Sequence, residues 1–187
     1  MYWQVYYHKT SALAEHLLVK ILNRAKQLIS EGKQVEAYGN LKYFLYKTDF
    51  EKATEEDVKR FTQLDDTDIL TAIKMWQNSD DVVLSYFCKS VVNRKFPKTV
   101  FSSNPFSDEE IANKITKANE TFGINNGEYL VGQISRTLLP YDKEKEPIFL
   151  LKKNGEKIKL EDAETQILSA HINQPTTKNI LFFPRGI

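Results

Sequence analysis

One cysteine, Cys88, stands in 187 residues. A lone thiol closes no internal disulfide, and the paired-cysteine spacings of zinc sites have nothing to act on. A reducing, cytoplasmic location is the expectation. Glycine and proline are scarce, at 7 and 6, so long regular elements are expected rather than extended loops. No run approaches the ~18–20 uninterrupted apolar residues of a membrane-spanning helix. The first residues also lack the basic n-region of a signal peptide. No membrane partner is expected. The net charge is only +1, which removes any global reason to expect nucleic acid.

Catalytic signatures are absent too. The three histidines, His8, His16 and His171, form no HExxH, HxxH or His-Asp pair. No GxxxxGK[ST] or GxGxxG turn is present to cradle phosphate. No GxSxG elbow presents a serine. Cys88 falls inside a helical pattern beside Phe87 and reads as a buried core thiol. The carboxylates of "TEED", "LDDTD" and "SDD" sit where helices begin, which suits capping and the helix dipole better than acid–base chemistry.

What is present is strong helical periodicity. From Trp3 to Glu31, Thr10, Ala14, Leu17, Leu18, Ile21, Ala25, Leu28 and Ile29 recur every three or four residues. This predicts one long helix with Gly32 as its C-terminal cap. A short helix is expected around Leu41–Tyr46, a second capped by Thr54 with Asp57, and a third capped by Asp65 or Asp66 and running through Trp76. A fourth, capped by Ser79, carries Val82, Val83, Tyr86, Phe87, Val91 and Val92. The pattern changes at Phe96-Pro97. "KTVFSS" reads as a strand, and Ser107 with Glu110 forms a capping box. "EYLVGQISRTLL" is strand-like, Asn154-Gly155 marks a hairpin, a short helix is expected around Ala163–Ala170, and "NILFFPR" closes as a strand. The expected class is α+β: residues 1–97 helical and led by one long helix, and 98–187 a small mixed sheet with helices on one face.

The first helix raises its own question. Six of the first seven residues, Met1, Tyr2, Trp3, Val5, Tyr6 and Tyr7, are large and apolar or aromatic. On a helical wheel Trp3, Tyr7 and Thr10 fall near the core stripe, whereas Val5 falls far from it. His8 and Lys9 lie off the stripe on opposite flanks. A helix apolar on more than one side is normally covered on more than one side. Either an oligomer partner covers it, or the helix begins upstream in a longer protein.

The stretch "MYWQVYYHKTSALAEHLLVKILNRA" resembles the helix that follows the catalytic core in HD-domain deoxynucleoside triphosphate triphosphohydrolases. That family includes bacterial dGTPase-like enzymes and the animal protein joining a sterile-alpha-motif domain to an HD domain. The pattern there is an aromatic-rich turn, a Tyr, His-Lys, then a long amphipathic helix; here it is Tyr6-Tyr7-His8-Lys9. The stretch from Leu64 to Val100 is similar to the family's following helix pair and ends in Arg94-Lys95-Phe96-Pro97-Lys98. The resemblance implies that the family's divalent-metal ligands, and a phosphate-binding Arg, lie upstream of Met1. This chain would then be a C-terminal portion, with no catalytic residues and no cofactor of its own.

The resemblance implies five roles. Tyr6 would line the substrate pocket. His8 and Lys9 would belong to a regulatory nucleotide site between subunits, and Arg94 and Phe96 would contribute to that site from elsewhere. The implied partners are further copies of the chain in a homo-oligomer and a nucleotide. The alternative reading is a stand-alone protein-interaction module with no nucleotide role. The plain alternatives for the residues are a solvated helix flank for His8 and Lys9, packing for Tyr6, and a favourable helix-dipole position for Arg94.

Overall fold

The computed structural model describes residues 8–49, 51–138, 148–159 and 175–187. Local sequence signals account for most helix boundaries. Helices α3 (Glu55–Thr62), α4 (Asp66–Trp76) and α6 (Asp108–Phe122) start where expected, and α2 (Gly39–Tyr46) starts two residues before Leu41. Reciprocal capping boxes join Thr54 with Asp57, Asp65 with Asp68, and Ser107 with Glu110. Each satisfies backbone donors that a helix start leaves unpaired.

Two further helix starts depart from the sequence expectation. Helix α1 spans Lys9–Ser30, and His8 is its N-cap, with extended backbone at φ −61° and ψ 136°. The helix therefore does not run through His8, because the His8 side chain takes an orphan N–H itself: Thr10 N–H donates to Nδ1 at 3.3 Å. Thr10, placed on the core stripe by periodicity, is exposed in the first turn. Helix α5 (Val82–Val92) is capped by Asp81, not Ser79. The Asp81 carboxylate accepts the Leu84 N–H at 2.8 Å and is fixed by Arg24, 57 residues away. Ser79 instead accepts the Asp81 N–H at 3.2 Å.

The core begins with the α1 stripe of Leu13, Leu17, Ile21, Ala25 and Leu28. It packs on α2 and on α5, which in turn packs on α4. Ile73 and Trp76 of α4, and Val83, Leu84, Phe87 and Cys88 of α5, are buried with it. The Trp76 indole N–H donates to the Glu36 carbonyl at 2.6 Å, so the ring is buried without stranding its polar atom. Burying a large side chain such as Phe87 contributes about 1.5–3 kcal/mol. Cys88 is buried, and burial pushes its thiol up to about 12. It is a packing group at neutral pH.

The sheet contains β1 (Lys98–Ser102), β2 (Gly132–Leu138) and β5 (Thr176–Phe183), in the order β1-β5-β2. Every described pairing is antiparallel, including the separate hairpin of β3 (Phe149–Leu151) and β4 (Lys157–Lys159) that turns at Asn154-Gly155. The last strand in sequence is thus the centre of the sheet. Its residues from Asn179 to Phe183 are all buried, which requires cover on both faces. Phe182 meets His16 of α1 edge-on, with ring centroids 5.3 Å apart. The opposite face carries Phe183, whose ring lies 4.0 Å from the Lys114 ammonium of α6. The class is α+β as expected, but the sheet expected to be mixed is antiparallel in every described pairing, and the expected cover on one face extends to both. Buried residues before and after Pro97 belong to one contiguous core. The expected helix at Ala163–Ala170 lies outside the described residues.

Candidate functional site

The sequence singles out His8, Lys9, Arg94 and Phe96, together with Tyr6, which lies outside the described residues. His8 and Lys9 are both exposed at the start of α1. Because Nδ1 of His8 is occupied as the cap acceptor, the neutral ring carries its proton on Nε2. The Lys9 ammonium lies 5.8 Å from the Phe101 ring centroid, within cation–π range.

Arg94 closes α5. The Lys95 N–H donates to Ser90 O at 3.0 Å, and the Arg94 N–H to Val91 O at 3.2 Å. These two bonds are the Schellman closure, in which the residue after the C-cap turns left-handed. Glycine normally stands there, but here it is Arg94, at φ 54°, the one non-glycine residue with positive φ among those described. A left-handed residue with a Cβ costs roughly 1–2 kcal/mol. Strain of this kind collects where a side chain must be presented in a fixed direction. Arg94 itself is exposed, with its guanidinium free of any described ion pair.

Phe96 is half-buried against the core, and its carbonyl accepts Nε of Arg185 at 2.7 Å. Arg185 follows β5, so the last strand delivers a second guanidinium to the corner where α5 passes into β1. Sequence reading gives Arg185 no role, because the pairing that brings it there joins residues about ninety apart in the chain. Within one chain the expected residues form two pairs rather than one cluster. Lys9 is tied to Phe101, whereas Arg94 and Phe96 are tied to α5 and Arg185. About 10 Å of strand separates Phe101 from Lys98, where β1 begins.

Lys20 and Arg136 both act on His16 in the middle of α1. Lys20 donates to Tyr129 O at 3.1 Å and stands over the Phe182 ring at 5.4 Å. Burial, and then the charges of Lys20 and Arg136, hold His16 below the usual imidazole range. Near the far end of α1, Arg24 makes a two-pronged contact with Asp81, at 3.1 Å and 2.6 Å. It also stacks 4.8 Å from the Tyr129 ring centroid. Burial pushes the Asp81 carboxyl up, but the Arg24 and Leu84 hydrogen bonds outweigh it and keep the group below its ordinary value.

Among the described residues no three His, Cys, Asp or Glu side chains come together as a metal ion requires. The metal implied by the resemblance therefore has no fitting site among them, and no reaction step is assigned through it. A cleft of about 950 Å³ opens at the C-terminal end of α1, lined by Lys33, Glu36, Trp76, Asp80 and Ile124 among others. It contains none of the expected site residues. No described helix is long and apolar enough to cross a membrane.

No family model matches the chain. It is 32% identical, over its whole length, to the uncharacterised protein YwfO of Bacillus subtilis (strain 168), and covers 43% of that protein. It is also similar to the crystal structure of a phosphohydrolase from Bacteroides thetaiotaomicron VPI-5482, with a TM-score of 0.88 and 32% identity. That match takes in 99% of this chain and 47% of the other. The chain thus spans less than half the length of the relatives it matches. Together the alignment and the geometry give it the fold of the matched part of a phosphohydrolase.

Proposed function

We propose that this chain is the C-terminal regulatory and oligomerising region of an HD-superfamily, metal-dependent dNTP phosphohydrolase, without turnover by itself. Similarity to a phosphohydrolase over 99% of the chain supports the hydrolase class. The observation that carries the regulatory role is Arg94. An exposed arginine held at φ 54°, where glycine would relieve the strain, is best explained by a ligand that its guanidinium must meet.

On this reading His8 and Lys9 of one subunit, with Arg94 and Phe96 of another, enclose a nucleotide. Arginine suits the phosphates because its planar fork grips two oxygens at once, and lysine adds a compact charge. Phe96 supplies apolar surface for the base or sugar. A nucleotide bound only by the assembled form stabilises that form by mass action. Tyr6 would line the substrate pocket beside the divalent metal, which belongs to the HD portion of the whole protein.

The test uses the full-length protein. Lys9→Ala and Arg94→Ala should each raise the dNTP concentration needed for assembly and activation by about tenfold or more, since a charged hydrogen bond contributes about 1.5–3 kcal/mol. Unchanged nucleotide dependence in both variants would remove the reading and leave an interaction module. Hydrolysis of dNTPs by the 187-residue chain with Mg²⁺ or Mn²⁺ would remove the non-catalytic assignment.

A further inference from the structure

The β3–β4 hairpin forms a two-stranded sheet of its own, apart from the main sheet. A lone hairpin is marginal in water, and three or more strands around an apolar face are normally needed. Phe149, Leu150 and Leu151 make up the whole of β3, and all three are exposed, Phe149 by 55% and Leu151 by 70%. The register sets Leu150 opposite Ile158, Phe149 opposite Lys159 and Leu151 opposite Lys157. The Lys152 N–H donates to Glu156 O at 2.9 Å, which makes these two a hydrogen-bonded pair. Such pairs alternate along an antiparallel ladder. The backbone of Leu150 therefore faces β4, and the N–H and C=O groups of Phe149 and Leu151 face away from it. Among the described residues no hydrogen bond takes those groups. The outer side of β3 is thus an open sheet edge whose side chains are all apolar. The β4 edge differs: its two exposed lysines, Lys157 and Lys159, are the kind of charge with which native sheets blunt an edge.

We infer that the β3 edge docks a second copy of this chain, strand against strand, about a two-fold axis at Leu150. The inference rests on the oligomerising reading for the existence of a second copy, and on the hairpin for where that copy sits. Two outward-facing residues with one residue between them make the strand its own complement. Phe149 of each copy pairs with Leu151 of the other through backbone hydrogen bonds, and Leu150 meets its own copy between them. One face then gains two Phe–Leu cross-strand contacts, and the other a row of Ile158, Leu150 and their copies across four strands. Charge favours this arrangement. Lys152 is bonded to Glu156 at 3.0 Å, and an antiparallel two-fold sends its two copies to opposite ends. They stand about 14 Å apart along the strands, beyond the ~8–10 Å Debye length. Parallel pairing in register would set each lysine after β3 against its own copy, which destabilises a sheet. Once paired, the assembly ends in β4 and its copy, whose lysines discourage further strands, so it closes at two copies.

Sedimentation of the 187-residue chain tests this directly. Three residues a side bury far less than the ~800 Å² per partner of a stable interface, so the pair should form between about 1 μM and about 1 mM. Its mass should be twice the 21.7 kDa of one chain. Leu151→Lys should weaken association by about tenfold or more, because both copies lose apolar burial and gain a cation at the edge. Leu151→Pro, which removes an outward N–H that β4 does not use, should weaken it likewise. Matching melting curves guard against misfolding. Under oxidation Leu150→Cys should cross-link into a covalent pair, since residues facing each other without hydrogen bonds have Cα atoms about 4.5 Å apart, within disulfide reach. Lys153→Cys, about 20 Å from its copy along the strands, should not. The native Cys88 is buried and adds no background. A monomeric unmodified chain overturns the inference. So do association unchanged in both Leu151 variants, equal cross-linking of the two cysteine variants, or open-ended aggregates in place of a pair. If the full-length protein still assembles under any of these outcomes, the oligomerising reading survives without this surface. A full-length protein that also stays monomeric removes both.

Discussion

The two ends of α5 are built to opposite specifications. At its start Asp81 caps the helix, bonds the Leu84 N–H and grips Arg24, so one carboxylate satisfies a helix end and a buried guanidinium together. At its finish Arg94 adopts a left-handed conformation at φ 54° and points an unpaired charge toward solvent. The end of α1 shows that this is not forced by the motif. There the same closure, Gly32 N–H to Ile29 O at 3.0 Å and Lys33 N–H to Leu28 O at 2.9 Å, has glycine at φ 81°. One helix end holds the fold together, and the other carries strain that, on the proposed function, serves to present a side chain.

The largest effect expected from breaking this contrast is at Asp81. Asp81→Ala leaves the buried Arg24 without its two-pronged partner, with only the 3.9 Å contact to Glu31 as counter-charge, and removes a cap. The expected loss is about 3–5 kcal/mol, read by chemical denaturation. Acid should act on the same site. Asp81 and Asp57 both have carboxyls held below the usual range, Asp57 by Lys47, Thr54 and Tyr43. A depressed carboxylate contributes stability above its unfolded pKa, near ~4, and loses it as the pH falls through the folded value. Melting temperature should therefore drop steeply below about pH 4.

Next in size is Gly32→Ala, which installs at the end of α1 the strain now found at Arg94. It should cost about 1–2 kcal/mol. A smaller effect belongs to His16. Its folded pKa is lowered, so the unfolded chain binds the proton more readily, and stability falls as the pH drops from 7 through the unfolded value near ~6.5. His16→Gln should flatten that part of the stability–pH curve. A curve unchanged by the substitution would remove His16 from the account.

Signals confined to a few residues were readable from the sequence. The capping boxes at Thr54 and Ser107, Gly32 and the Asn154-Gly155 turn each depend on neighbours within about four positions. Boundaries decided by distant partners were not. Periodicity carries a helix through His8, but the imidazole caps the chain there instead. Ser79 has the composition of a cap, but Asp81 holds that place because Arg24 reaches it across the core. The sheet hides its order for the same reason. Alternation tells which residues of β5 share a face, whereas its central position depends on register with strands dozens of residues away. Of the candidate site, Lys9 and Arg94 were legible as exposed cations, and the strained backbone of Arg94 was not, because nothing in "VVNRKF" calls for a left-handed arginine.

The most direct test is Arg94→Gly, measured for both stability and nucleotide response in the full-length protein. Glycine relieves about 1–2 kcal/mol of left-handed strain and gives back about 0.5–1 through its greater unfolded freedom. The account predicts a variant at least as stable as the parent, with a dNTP response weakened about tenfold or more. A variant that is less stable, or that keeps the parent's dNTP response, would contradict the claim that Arg94 is strained for the sake of a ligand.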